Sequence, residues 1–149
     1  MNTRWLASAL AVLIAPLTFA DELFLHGLTY HGRRHYEEFR DNQWTTRHYN
    51  EVNPGVGYAF DNGLILGTYR NSYYKQSVYG VYRYMFNDNF GVFAGYASNY
   101  QNHGGNALRG GLLVRSNDLG NGWRVGLLGQ PIQTSNIEAI VSAYVSKDM

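Results

Sequence analysis

A histidine and a hydroxyl brought within reach of each other are the least that acyl transfer requires. The imidazole takes the proton as the oxygen attacks. In this chain the pair with that prospect is His31 and Ser72. His31 closes an apolar run that begins at Glu22, and Asn71-Ser72 closes another that follows the turn signal Asp61-Asn62-Gly63. If both runs are strands travelling the same way, their ends share one rim. The stretch carrying Arg47, Tyr49, Asn50 and Glu51 then joins them. No Gly-x-Ser-x-Gly elbow surrounds Ser72. On spacing alone Ser72 therefore reads equally as a loop serine, and His31 as a polar residue at an interface. The histidines His26, His31, His35, His48 and His103 do not make a metal site. His31 and His35 are four apart, but a strand running into a loop lacks the single face that a helix gives such a pair.

The elements that must position these residues are strands. The organising stretch is Asp61 to Phe86, in which two aromatic-rich runs flank the polar tip Arg70-Asn71-Ser72-Tyr73 and read as long antiparallel strands. Alternation is plain elsewhere. Val92, Ala94 and Tyr96 oppose Phe93, Gly95 and Ala97; Leu108, Gly110, Leu112 and Val114 oppose Arg109, Gly111, Leu113 and Arg115; Trp123, Val125 and Leu127 oppose Arg124, Gly126 and Leu128. Period two puts each set on one face. Eight strands are predicted, at 22–31, 53–61, 63–72, 76–86, 90–100, 106–117, 122–131 and 136–146. Connections at 61–63, 87–89 and 117–122 are tight Asn/Asp/Gly turns. Those at 32–52, 72–76, 100–106 and 131–135 are polar and mostly longer.

An even number of strands with turns at one end and loops at the other is the pattern of an outer-membrane barrel, short turns inside and longer loops outside. Residues 1–20 have one charge, Arg4, an apolar run from Trp5 to Ile14 and a Thr18-Phe19-Ala20 site, the form of a secretory signal. That run is too short to span a bilayer as a helix. The chain has 149 residues and no cysteine, so disulfides do not hold it. Without Arg4, its basic residues fall from 12 to 11, against 11 acidic ones, and no basic field argues for nucleic acid.

The expectation is an all-β, eight-stranded antiparallel transmembrane β-barrel. It comprises a signal at 1–20, one barrel domain at 21–149 and a long polar first external loop at 32–52. Tyr30, Tyr73, Tyr74 and Tyr100 are expected in an interfacial girdle, and Arg83 is acceptable only facing the lumen. The ending Ser146-Lys147-Asp148-Met149 lacks the usual terminal aromatic of such barrels. A soluble β-barrel or lipocalin-like fold is the alternative.

Three stretches together resemble the lipid A palmitoyltransferase (PagP-type) enzymes of the outer membrane. They are Leu28-Thr29-Tyr30-His31, Arg47-His48-Tyr49-Asn50-Glu51 leading into Pro54-Gly55-Val56-Gly57-Tyr58, and Tyr69-Arg70-Asn71-Ser72-Tyr73. The resemblance spans roughly residues 28 to 84. It implies an eight-stranded barrel that moves a palmitoyl chain from a phospholipid to lipid A, as a monomer and without cofactor or metal. His31 fits that family's essential histidine and Ser72 its serine. Asn71 stands where the family has aspartate; an amide can orient the pair or donate to a developing oxyanion but supplies no charge. Arg47, Tyr49, Asn50 and Glu51 match in type, and Arg33, Arg47 and Arg70 are the rim cations suited to a phosphorylated sugar, with Arg34 and Arg40 beside them. The amphipathic helix that precedes the first strand in the family is missing. Gly80 lies near the family's chain-length position but about one residue out of register.

The wording Tyr49-Asn50-Glu51-Val52-Asn53-Pro54-Gly55 also looks like short secreted proteins carried by prophages, which suggests a divergent or repurposed copy. Two functions are open to such a chain: an outer-membrane acyltransferase acting on lipid A, or a non-enzymatic outer-membrane barrel that alters the cell surface or binds lipid. A lipid A deacylase would want His-x-Ser on one late strand, which is absent.

Overall fold

The computed structural model describes residues 21–32, 35–100, 105–132 and 138–149; the expected signal at 1–20 lies outside them. Among the described residues ten strands form: β1 (Glu22–His31), β2 (His35–Arg40), β3 (Gln43–His48), β4 (Val52–Ala59), β5 (Leu64–Arg70), β6 (Gln76–Met85), β7 (Phe90–Tyr100), β8 (Gly105–Arg115), β9 (Trp123–Ile132) and β10 (Glu138–Asp148). Eight of them close into an antiparallel barrel in the order β1-β10-β9-β8-β7-β6-β5-β4. Closure removes sheet edges, which is what allows strands to sit in lipid. All eight expected strands are present, with ends within about two residues.

Within 32–52, expected as an exposed loop, residues 35–48 fold on themselves as the β2–β3 hairpin outside the barrel. Its turn residues Asp41 and Asn42 both have positive φ, 51° and 65°. Short polar side chains tolerate that conformation, and it suits a two-residue hairpin turn.

Tight turns close one end of the barrel. Asn62 Oδ1 accepts from the Leu64 amide, Asn87 Oδ1 from the amides of Asn89 and Phe90, and Asp118 Oδ1 from those of Gly120 and Gly122. The hairpin and the loop after β5 mark the other end.

Leu25, Leu28, Val78, Leu108, Leu112, Val125 and Leu127 stand exposed on the outer wall, with Tyr30, Tyr82, Tyr84, Phe86, Phe90, Tyr96 and Trp123. A contiguous apolar and aromatic exterior marks a barrel embedded in a membrane. The girdle differs from expectation in two members. Tyr30 and Tyr74 are exposed, but Tyr100 is buried and, with Tyr73, lines the interior. Gly80 sits on the outer wall between inward Tyr79 and Val81, opposite exposed Leu66 and Tyr96, so it forms no part of the cavity floor.

Inward charges close the turn end. Glu22, 2 % exposed, pairs with Arg83 at 2.5 Å and Arg115 at 3.4 Å, and Arg124 pairs with Asp148 at 2.5 Å. Arg83 thus faces the lumen, as its place among Tyr and Met requires. Above this layer Phe24, Ile65 and Tyr144 pack into an apolar core.

One seam is short. Strands β8 and β9 pair only from Leu112–Gly129 to Arg115–Gly126. At its upper limit a Cβ on Gly111 would lie 1.9 Å from the Gly129 carbonyl oxygen, so only glycine permits this approach.

Candidate functional site: a lumenal cavity with a ring-lined collar

The orientation of His31 depends on one residue. Strict alternation along β1 would put His26 and His31 on opposite faces, since five positions separate them. The register of β1 against both neighbours shifts between His26 and Leu28, a bulge at Gly27. A bulge adds a residue and re-aims the side chains beyond it. Phe24 and His26 point inward before it, and Thr29 and His31 point inward after it. His31 ends 1 % exposed, and neither ring nitrogen has a hydrogen-bond partner.

The segment between β3 and β4 crosses the rim and ties β1 to the end of β5. The Asn50 amide donates to the Ser72 carbonyl at 2.8 Å, and the Thr29 amide to the Glu51 carbonyl at 2.8 Å. The Asn50 side chain caps the same crossing through Val52 and the Asn71 carbonyl. This holds Tyr49 flat on His31, with ring centroids 4.4 Å apart and planes at 8°. Tyr36, reaching in from the hairpin, meets Tyr49 at 5.0 Å and Tyr73 at 4.8 Å. Tyr73 meets Tyr100, Tyr100 hydrogen-bonds Tyr69, Tyr69 meets Tyr79, and Tyr79 Oη bonds His26 Nε2 at 2.6 Å. Rings thus form a continuous collar beneath the hairpin.

Tyr79 fits because glycines face it. A Cβ on Gly57 would lie 2.0 Å from its hydroxyl, and one on Gly67 would lie 2.6 Å from its ring. Burial pushes the Tyr73 phenol up, so it stays neutral and supplies no counter-charge.

These residues enclose a cavity of about 340 Å³. Its upper wall holds His31, Tyr49, Ser72, Tyr73, Tyr100 and Arg109, and its lower wall is apolar, with Phe24, Ile65, Val81, Phe93, Leu113 and Leu128. His31 and Ser72 therefore open on one space, as the strand-direction argument expected, although no hydrogen bond joins them. Asn71 is fully buried but turned away. Its Nδ2 donates to Ser77 Oγ and the Asn99 carbonyl, both at 2.9 Å, and its Oδ1 accepts from the amides of Tyr73 at 2.9 Å and Lys75 at 3.0 Å. The amide thereby shapes the loop that presents Ser72.

The arginines are dispersed. Arg47 pairs with Glu38 across the hairpin at 2.9 Å, and Arg70 is exposed with its guanidinium 5.6 Å from the Tyr74 ring centre. Glu51 is exposed, and Arg33 and Arg34 lie outside the described residues. No group of three metal-ligating side chains occurs among the described residues.

Sequence reasoning did not place Arg109, Tyr69, Tyr79 or His26 in this site. Arg109 had a partial signal, because it alternates with Leu108, Gly110 and Leu112 and shares the opposite face, which the closed barrel turns inward. Its guanidinium lies 3.8 Å from the Tyr100 ring centre, its Nε is buried without a partner, and its charge acts on His31, Tyr69 and Tyr73. No family model, curated protein or solved structure matches the chain.

Proposed function

We propose that this chain is an outer-membrane barrel that binds one hydrocarbon chain of a membrane lipid in its lumen without turning it over. The observation that carries the reading is the cavity itself, apolar below and polar at the collar. At about 340 Å³ it lies near the lower limit of ligand pockets, which suits one chain rather than two.

A lateral route supports it. A second, almost wholly apolar groove of about 820 Å³ runs over the outer wall by the short β8–β9 seam. It shares Phe93, Gln130 and Ile140 with the lumenal cavity. A chain using that seam would leave the bilayer for the lumen without crossing water.

The chemistry on the collar supports binding without turnover. Asn71 is engaged in its loop, and no carboxylate among the described residues lines the cavity to fix the His31 tautomer.

A second reading has one specific observation in its favour: His31 and Ser72 line the same cavity. As a palmitoyltransferase-like enzyme, the chain would use His31 as base for Ser72 or for the acceptor hydroxyl. Asn71 would orient the pair, and Arg33, Arg47 and Arg70 with Tyr49, Asn50 and Glu51 would hold lipid A.

Mass spectrometry separates the two. Native spectra of the purified barrel should show one co-purified lipid per chain, and lipid A from expressing cells should be unchanged. A palmitoyl unit added to lipid A, and lost in His31→Ala, would replace the binding reading with the enzymatic one.

A further inference from the structure

Arg109 is unlike every other inward arginine among the described residues. Arg83 and Arg115 share Glu22, and Arg124 holds Asp148. The cavity around Arg109 has no aspartate or glutamate among its described lining residues. The Tyr100 ring attracts the cation through its quadrupole, yet it is no hydrogen-bond acceptor of the kind a carboxylate is. Nε of Arg109 is buried and bonds nothing. On the same collar His31, only 1 % exposed, lines the cavity, and neither of its ring nitrogens has a partner. A half-buried cation with no carboxylate and a buried imidazole with no hydrogen bond are costly to maintain unless something else supplies the acceptor.

We infer that the collar is an anion site for the carboxylate of a single-chain fatty acid, one oxygen accepting from Arg109 and the other from an N–H of His31. The inference rests on the lumenal-lipid reading above and adds the head group to it. The polarity agrees, since the apolar lower wall runs directly beneath the collar. Tyr49 and Tyr36 cover the collar from the hairpin side and keep bulk water from competing for the guanidinium. An ester carbonyl, which bears no charge, would leave Arg109 uncompensated. The site therefore discriminates free acids from intact phospholipid.

The test compares chains of one length that differ only in the head. The purified barrel, held in a nonionic amphipol at about pH 8, well above a carboxylic acid's pKa, is titrated with palmitate, hexadecanol or hexadecyltrimethylammonium. Bound chain per barrel is read by native mass spectrometry. Palmitate should bind one per barrel and at least about tenfold tighter than hexadecanol, the scale of one charge-assisted hydrogen bond. The cationic amphiphile should bind weakest.

Arg109→Gln should erase the preference for the acid over hexadecanol, and Arg109→Lys should retain most of it. Both variants are checked for folding by the heat-dependent shift in gel mobility. Equal affinity for acid and alcohol in the unaltered protein would overturn the carboxylate site but leave the lumenal lipid standing. Binding of none of the three would overturn both.

Discussion

Asn71 is the residue on which structure and resemblance pull apart, and substituting it separates them. The side chain is fully buried and makes four hydrogen bonds, two as donor and two as acceptor. Asn71→Ala removes all four. At about 1 kcal/mol net each the loss approaches 4 kcal/mol, and water entering the vacated space lowers it to about 3 kcal/mol.

Asn71→Asp is the sharper perturbation, since it restores the residue type of the resembling family. A carboxylate keeps the two acceptor bonds to Tyr73 and Lys75 but loses both donors. Its second oxygen then faces the Asn99 carbonyl, and the neighbouring Ser77 hydroxyl already donates to the Ser98 carbonyl at 2.6 Å. A destabilisation of about 2 kcal/mol follows from one unsatisfied buried carbonyl and one repulsive contact. Urea unfolding of the barrel refolded into vesicles, followed by tryptophan fluorescence, measures both values. Asn71→Asp within about 0.5 kcal/mol of the unaltered protein would refute the reasoning, because the carboxylate would then be tolerated where the amide's donors were held to matter.

The other predictions concern the walls. Glu22→Gln leaves Arg83 and Arg115 without their shared carboxylate, and should cost about 3 kcal/mol in the same unfolding assay. An unchanged midpoint would mean that the cluster is solvated. Gly57→Val drives a side chain into the Tyr79 hydroxyl and breaks its bond to His26. It should cost about 1–3 kcal/mol, with a drop in lipid co-purified per barrel as the readout on the cavity. Leu112→Arg, at a position 63 % exposed on the outer wall, should cost about 2–4 kcal/mol in a bilayer. An insensitive Leu112 would argue that this wall meets water.

Period-two alternation and Asn/Asp/Gly turns were enough to write down the barrel. Each strand's pattern is local, and an even set of strands with turns at one end closes in few ways. That Arg109 and Arg124 share the face opposite an apolar row was legible too, because each alternates with one. The β2–β3 hairpin carried a local signal as well, Asp41-Asn42 between Phe39 and Trp44, which the dense charge of that stretch obscured.

Other features belong to the tertiary structure alone. Alternation names two faces without saying which meets lipid, and only the closed barrel, with Leu108 and Leu112 outside and Leu113 at 1 % exposure inside, decides it. The Gly27 bulge turns His31 into the lumen, and whether a glycine bulges depends on the register of both neighbouring strands. Tyr73 and Tyr100 suit an interfacial girdle by type, yet they turn inward because partners from distant strands complete a ring collar there. Asn71 beside Ser72 reads in sequence as half of a reactive pair. The contacts that engage its amide in the loop come from Ser77 and Asn99, 6 and 28 residues away, and only folding brings them together.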